Sequence, residues 1–146
     1  MNQNPVTIGR REYVDLPELD AFGIEAKVDT GAFRTAVHCE RCIETERDGR
    51  IVLEAVVNFD GKGERSFFFD KYALRTIKNS FGQTERRYCV KLMIRIGRKK
   101  IRSDVSFSDR SGMKYPVLIG RKTIGHKFLV DVSRVHAFRK KSKSSE

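Results

Sequence analysis

The sequence predicts a small all-β domain. Three observations carry that expectation. Apolar residues recur at period two in several short stretches, glycine-bearing turns separate those stretches, and a 3.6-residue apolar pattern is nowhere sustained. Ten Phe and no Trp suit pleated, half-buried surfaces. With 146 residues and 39% hydrophobic content, one domain with a real core is expected.

Taken in order, Tyr13–Leu16 and Ile24–Val28 read as strands around a turn holding Pro17, Asp20 and Gly23. Ile51–Phe59 alternates Ile51, Leu53, Ala55, Val57 and Phe59 against Glu54 and Asn58, although Val52 and Val56 blur the polar side. Asp60-Gly61-Lys62-Gly63 is a hairpin turn, and Ser66–Phe69 returns. Val90–Ile96 alternates again, Gly97-Arg98-Lys99-Lys100 turns it, and Ile101–Phe107 comes back. Arg121–Gly125 reads as a short helical turn. Two hairpins with flanking strands point to a barrel or a sandwich.

The formal net charge is +11. Such an excess speaks to partners more than to fold: nucleic acid, an anionic surface or an acidic polypeptide. Residues 139–146 carry part of it and read as a basic, disordered tail. No apolar run is long enough for a membrane span, and the start of the chain lacks a secretory signal pattern, so a cytoplasmic address is expected. Cys39, Cys42 and Cys89 read as free thiols. His38-Cys39-Glu40-Arg41-Cys42 contains C-x-x-C, but a zinc site there would need a fourth donor, and His126 and His136 lack ligand spacing. With no G-x-x-x-x-G-K-[ST] and no H-E-x-x-H, neither ATP hydrolysis nor a catalytic metal is expected, and no cofactor.

The most informative stretch is Ala26-Lys27-Val28-Asp29-Thr30-Gly31-Ala32-Phe33, an apolar run delivering an acid into a small-residue turn. About ninety residues later comes Tyr115-Pro116-Val117-Leu118-Ile119-Gly120-Arg121. The pair D-T-G-A and L-I-G-R, in this order, resembles a retropepsin-type aspartic protease subunit. The wider pattern resembles the RimB-like family, often labelled "ATP-dependent zinc protease". Its matching residues include Ile8-Gly9-Arg10-Arg11-Glu12-Tyr13-Val14, Ser108-Asp109-Arg110-Ser111-Gly112-Met113-Lys114 and Phe128-Leu129-Val130-Asp131-Val132.

The resemblance implies a retropepsin-like closed barrel of six to eight strands over residues 8–138, after an N-terminal extension at 1–7. A flap hairpin is then expected from Leu74–Lys78 and Glu85–Tyr88, with its tip at 79–83. Aspartic proteases hold two carboxylates that share one proton, one acting as base and the other as acid. One D-T-G per chain supplies one acid, so a homodimer is expected to place Asp29 opposite its symmetry mate. Thr30 would bond across the axis. Gly31 would let backbones approach, and Ala32 would be small beside the cleft. Ile119 and Gly120 would pack beneath the active loop. Arg121 would be structural, although Phe33 and Arg34 stand where retroviral enzymes often carry the acid that pairs with it.

Arg34, Arg75, Lys78, Arg86, Arg87, Arg110 and Lys114 are the expected cationic rim, and cations suit carboxylate recognition. The resemblance implies the same, because family members accompany an ATP-grasp ligase that adds glutamates to the C-terminus of a small-subunit ribosomal protein. The expected activity is therefore processing of poly-glutamate tails. Two competing readings stay open: a basic barrel that binds ribosomal RNA without chemistry, and a catalytically idle adaptor for acidic tails.

Overall fold

The computed structural model describes residues 4–59, 61, 63–78, 81–110 and 112–138. The strands are β1 (Val6–Ile8), β2 (Arg11–Leu16), β3 (Ala21–Val28), β4 (Thr35–His38), β5 (Arg41–Arg47), β6 (Arg50–Val57), β7 (Arg65–Phe69), β8 (Ala73–Lys78), β9 (Thr84–Ile96), β10 (Lys99–Ser108), β11 (Val117–Ile119) and β12 (Phe128–Val130). A 3-10 turn at Pro17–Leu19 and one short helix, α1 (Arg121–Ile124), complete the described elements. No described helix is long and apolar enough to cross a membrane.

The main sheet runs β10-β4-β11-β3-β2-β9-β8, and an additional β9–β10 pairing closes β10-β4-β11-β3-β2-β9 into a six-stranded barrel. Closure removes exposed edges from those strands. The core is the expected alternation made solid: Val14, Leu16, Ile24, Ala26, Val28, Leu92, Ile94, Ile96, Val105, Phe107, Val117 and Ile119 are all buried in one cluster. A separate sheet, β5-β6-β7, lays Leu53, Ala55 and Val57 into the same cluster, with Phe67 and Phe69 packed against it. Val52 and Val56, on the opposite side of β6, are buried too, which is why the alternation there was blurred.

The expected strands form, several with wider bounds, but the one expected over Ile51–Phe59 ends at Val57. Val90–Ile96 is the inner half of the long β9, whose outer half pairs with β8 to make the hairpin ribbon expected there, Ala73 opposite Cys89 through Lys78 opposite Thr84. Asn79 and Ser80 of the tip, Asp60 and Lys62 of the earlier turn, and the tail at 139–146 lie outside the described residues. β1 pairs parallel with β12, so Val6 and Thr7, read as N-terminal extension, are strand.

One crossover positions the site. β3 and β4 are consecutive in sequence, yet β11 lies between them, parallel to β3 and antiparallel to β4. The 29–34 loop joining β3 to β4 therefore wraps the end of β11. That brings Asp29 and Gly120 together.

Candidate active site

Asp29 follows the last residue of β3. Its backbone N–H donates to the Ile119 carbonyl at 2.9 Å, which extends the parallel pairing by one bond and fixes where the acid leaves the barrel. The Gly31 N–H donates to Asp29 Oδ1 at 3.0 Å, and the Ala32 N–H to the Asp29 carbonyl at 3.2 Å. The turn thus aims its own donor at the carboxylate, a charge-assisted bond that restricts the side chain. A Cβ on Gly31 would stand 3.2 Å from Asp29 Oδ1, so glycine keeps this approach open. Asp29 is partly exposed, and Thr30, Gly31 and Phe33 are exposed.

The loop is strapped to the start of α1. Arg121 N–H donates to the Ala32 carbonyl at 2.8 Å, and Lys122 N–H to the Phe33 carbonyl at 2.9 Å. Gly120 sits so close that a Cβ would meet the Arg34 carbonyl carbon and oxygen at 2.5 Å. Beneath lies a buried hydroxyl network. The Thr35 and Thr123 hydroxyls are 2.6 Å apart, Thr123 and Ser103 are 2.7 Å apart, and the Gly120 N–H donates to Thr35 Oγ1 at 3.0 Å. Each of these buried polar atoms is satisfied by another, as burial demands. The network ties β4, β10 and α1 under the acid.

Arg121 answers the question left by Phe33 and Arg34. Among the described residues it pairs with no carboxylate. Its Nη1 donates to the Thr30 carbonyl at 3.1 Å, and its guanidinium lies 5.8 Å from the Phe33 ring centroid. Phe33 also has Arg34 at 5.3 Å and Lys122 at 5.6 Å. The aromatic face thus stands where the acid of the retroviral pattern would be, as a cation–π platform.

Asp29 opens into a cleft of about 620 Å³. Its walls include Arg34, Lys78, Arg87, Arg110 and Arg121, with Ala32, Phe33, Met113 and Leu118 as apolar surface; among the described residues that line it, Asp29 is the one acid. The β8–β9 ribbon overhangs it through Thr76, Ile77, Lys78 and Arg87. Not every expected rim cation takes that position. Arg86 pairs across the ribbon with Thr76, lies one residue out of phase with Arg87, and does not line the cleft. Lys114 lies over the Tyr115 ring at 5.6 Å, outside the lining. Arg75 also stands outside it, 3.6 Å from Asp104.

Asp104 is the residue the sequence reading missed. It is buried in β10 and gathers three cations: Arg34 Nε at 2.9 Å, Arg75 Nε at 3.6 Å and Lys122 Nζ at 3.6 Å. Burial works against its ionisation. The Arg34 hydrogen bond and the charges of Arg75, Lys122 and Arg34 together outweigh that, and the carboxyl sits below its ordinary range. Arg34 is thus an architectural cation as well as a cleft wall. An Asp inside a strand of buried residues was the available signal, since Asp is depleted there.

Arg110 differs. Its Nε donates to the Tyr115 carbonyl at 3.2 Å and its backbone N–H to His38 Nδ1 at 2.7 Å. Burial, then the neighbouring Arg87 charge, pull its guanidinium below the ordinary value, and the Asp29 carboxylate pulls the other way. Arg87, Arg110 and Asp29 therefore face the same space. The Cys39 and Cys42 thiols adjoin, and the Cys39 thiol, then burial, push the Cys42 thiol above its ordinary range. No group of three His, Cys, Asp or Glu among the described residues could hold a metal ion.

The family model RimB-like, described as "Retropepsin-like aspartic endopeptidase RimB", matches residues 7–141. Two curated relatives are each named "Probable alpha-L-glutamate ligase". The protein of Shewanella halifaxensis is 30% identical over 139 residues, and that of Shewanella pealeana 28% identical over 136. Each alignment covers 91% of this chain but only 30% of the relative, so the chain spans about a third of their length. A solved Legionella pneumophila protein of unknown function superposes with a TM-score of 0.75 at 27% identity, covering 92% of this chain and 98% of the other. With a match across nearly all the barrel and the Asp29 loop at its mouth, the chain belongs to the RimB-like family of retropepsin-like aspartic endopeptidases.

Proposed function

We propose that this chain is an aspartic-type endopeptidase that acts as a homodimer on glutamate-rich protein tails, such as the modified C-terminus of a small-subunit ribosomal protein. The observation that carries the reading is the setting of Asp29: a partly exposed carboxylate, oriented by the Gly31 N–H, at a cleft whose other charged walls, among the described residues, are cationic. Two copies related by a two-fold axis would bring two such carboxylates together. The ionised one takes a proton from a water held between them, and the water oxygen attacks the peptide carbonyl. The protonated one donates to the carbonyl oxygen. The resulting gem-diol collapses as a proton passes to the leaving nitrogen. Exposed Thr30, Gly31 and Phe33 suit a face that meets its own copy.

The substrate class rests on charge and on the relatives. Arg87, Arg110 and Lys78 offer donors to side-chain carboxylates along the cleft. Proteins named for adding glutamate carry a segment like this chain within a longer sequence, which fits a module that handles glutamylated tails. A second reading, a module that binds such tails without cutting them, is favoured by the same ligase names. Incubation with a poly-glutamylated peptide, read by mass spectrometry, separates the two. Wild type should produce fragments and Asp29→Asn none, with specific activity falling on dilution. Binding without fragments in either protein would leave the adaptor, and cleavage by Asp29→Asn would refute the dyad.

A further inference from the structure

We infer that His38 is a positioning residue for Arg110, and that it makes recognition of glutamate-rich substrates depend on pH by holding the Arg110 backbone only while its imidazole is neutral. This rests on the acidic-substrate reading above and adds to it a residue and a form of regulation.

His38 is the last residue of β4, and it is 7% exposed. Both ring nitrogens are engaged. Nδ1 accepts the Arg110 backbone N–H at 2.7 Å, and Nε2 lies 2.5 Å from Glu40 Oε2. A backbone N–H can only donate, so Nδ1 must be the unprotonated nitrogen. The ring proton is then on Nε2, given to Glu40. Adding a proton at Nδ1 sets N–H against N–H and ends the bond to Arg110. The proton has another acceptor at hand, because Asp109 Oδ1 is 3.8 Å from Nδ1. The chain around Arg110 therefore has two arrangements: Arg110 N–H held by a neutral ring, or Asp109 drawn in by a charged one.

The carboxylates beside the ring are Glu40 and Asp109, and Arg110 meets it through its backbone N–H. The Cys39 thiol follows in the chain. On the β11 side the contact is backbone, His38 N–H to the Pro116 carbonyl at 2.8 Å. The output is Arg110, whose guanidinium lines the cleft and feels the charge of Asp29. A shift of its main chain moves a cation beside the reacting centre.

The test uses wild type, His38→Asn and His38→Leu. Asn can place an oxygen near the Nδ1 position and accepts at every pH; Leu accepts at none. The first measurement is the pH dependence of the Arg110 amide resonance in 15N-labelled protein. It should move with the titration of His38 in wild type and stay still in His38→Asn. The second is affinity for a glutamate-rich peptide in the Asp29→Asn background, so that catalysis is not required. Between pH 8 and 5.5, wild type should lose about five- to tenfold more affinity than His38→Asn, the effect of one lost hydrogen bond. His38→Leu should be weak across the range. Comparing variants on one peptide cancels the titration of the peptide's own carboxylates. An Arg110 amide that ignores His38 titration overturns the inference, as does equal pH dependence in wild type and His38→Asn. Both signals present with no peptide ever cleaved would instead fault the peptidase reading and leave the His38 coupling standing.

Discussion

Replacing Gly120 with alanine adds one methyl group where the barrel meets the Asp29 loop. Its φ of −94° is open to any residue, so backbone strain plays no part and the effect is steric. The new Cβ would stand 2.5 Å from the Arg34 carbonyl carbon and oxygen and 2.9 Å from the Phe33 oxygen, where ordinary contact begins at 3.4 Å. The obstacle is backbone and cannot rotate away. Either the 33–34 segment or the start of α1 must move by about 1 Å, straining the Arg121-to-Ala32 and Lys122-to-Phe33 hydrogen bonds. Overpacking costs about 1–3 kcal/mol, and a weakened hydrogen bond adds about 1 kcal/mol. A loss of about 2–4 kcal/mol should appear in the urea midpoint. Because Asp29 is fixed by the same loop, a displacement of that size should also lower kcat about a hundredfold on a glutamate-rich peptide. Gly112→Ala is the control, since nothing lies within 4 Å of its added Cβ, and it should be neutral in both assays. Wild-type kcat in Gly120→Ala would refute the argument that the α1 start sets the position of the acid.

Asp104→Asn should destabilise the fold by about 2–4 kcal/mol at neutral pH, below the upper end for a broken buried pair because Arg75 and Lys122 are half-exposed. The Asp104 carboxyl is held below its ordinary value, so its contribution is complete above the unfolded pKa of about 3.9 and fades as pH falls through the folded one. Urea midpoints of wild type and variant should therefore converge below about pH 4, and a gap that persists in acid would count against the pairing. Glu12→Ala should cost about 3–5 kcal/mol, because the fully buried carboxylate accepts from the N–H groups of Gly9 at 2.8 Å, Ala137 at 2.8 Å and Phe138 at 3.4 Å. Hydrogen exchange at Ala137 and Phe138 should rise with it; unchanged protection there would show that the clamp does not hold the C-terminal segment. Arg110→Glu should raise KM for a glutamate-rich peptide more than it lowers kcat, and added salt should shrink the difference as the Debye length falls below about 8 Å. Equal KM values on acidic and neutral peptides at low salt would end the acidic-substrate reading.

What the sequence made legible was periodic or local. The alternating runs became β2, β3, β6, β7, β9 and β10, because a period of two survives any tertiary setting that buries one face. The D-T-G turn was legible because its bonds lie within four residues, Asp29 to Ala32. Thr35–His38 and Val117–Ile119 were not read as strands. Each is too short to show a period, and β4 is buried along its whole length. Their meaning lies in the crossover that inserts β11 between β3 and β4, a long-range fact.

The cations show the same limit more sharply. In sequence, Arg34 and Arg110 look alike. In the fold, Arg34 is held by Asp104, 70 positions away, while Arg110 hangs from a histidine 72 positions away and lines the cleft. Arg86 and Arg87 are neighbours in the chain, but a strand sends them to opposite faces, and Arg87 is the one that reaches the cleft. Composition raises only the expectation of an acidic partner. Which cation meets it is decided by register and by where the balancing carboxylates lie. The buried Asp104 engages Arg34, Arg75 and Lys122, and Glu85 pairs with Arg87, so under the acidic-substrate proposal Arg110 and Lys78, with an Arg87 shared with Glu85, are the cleft cations left to meet substrate.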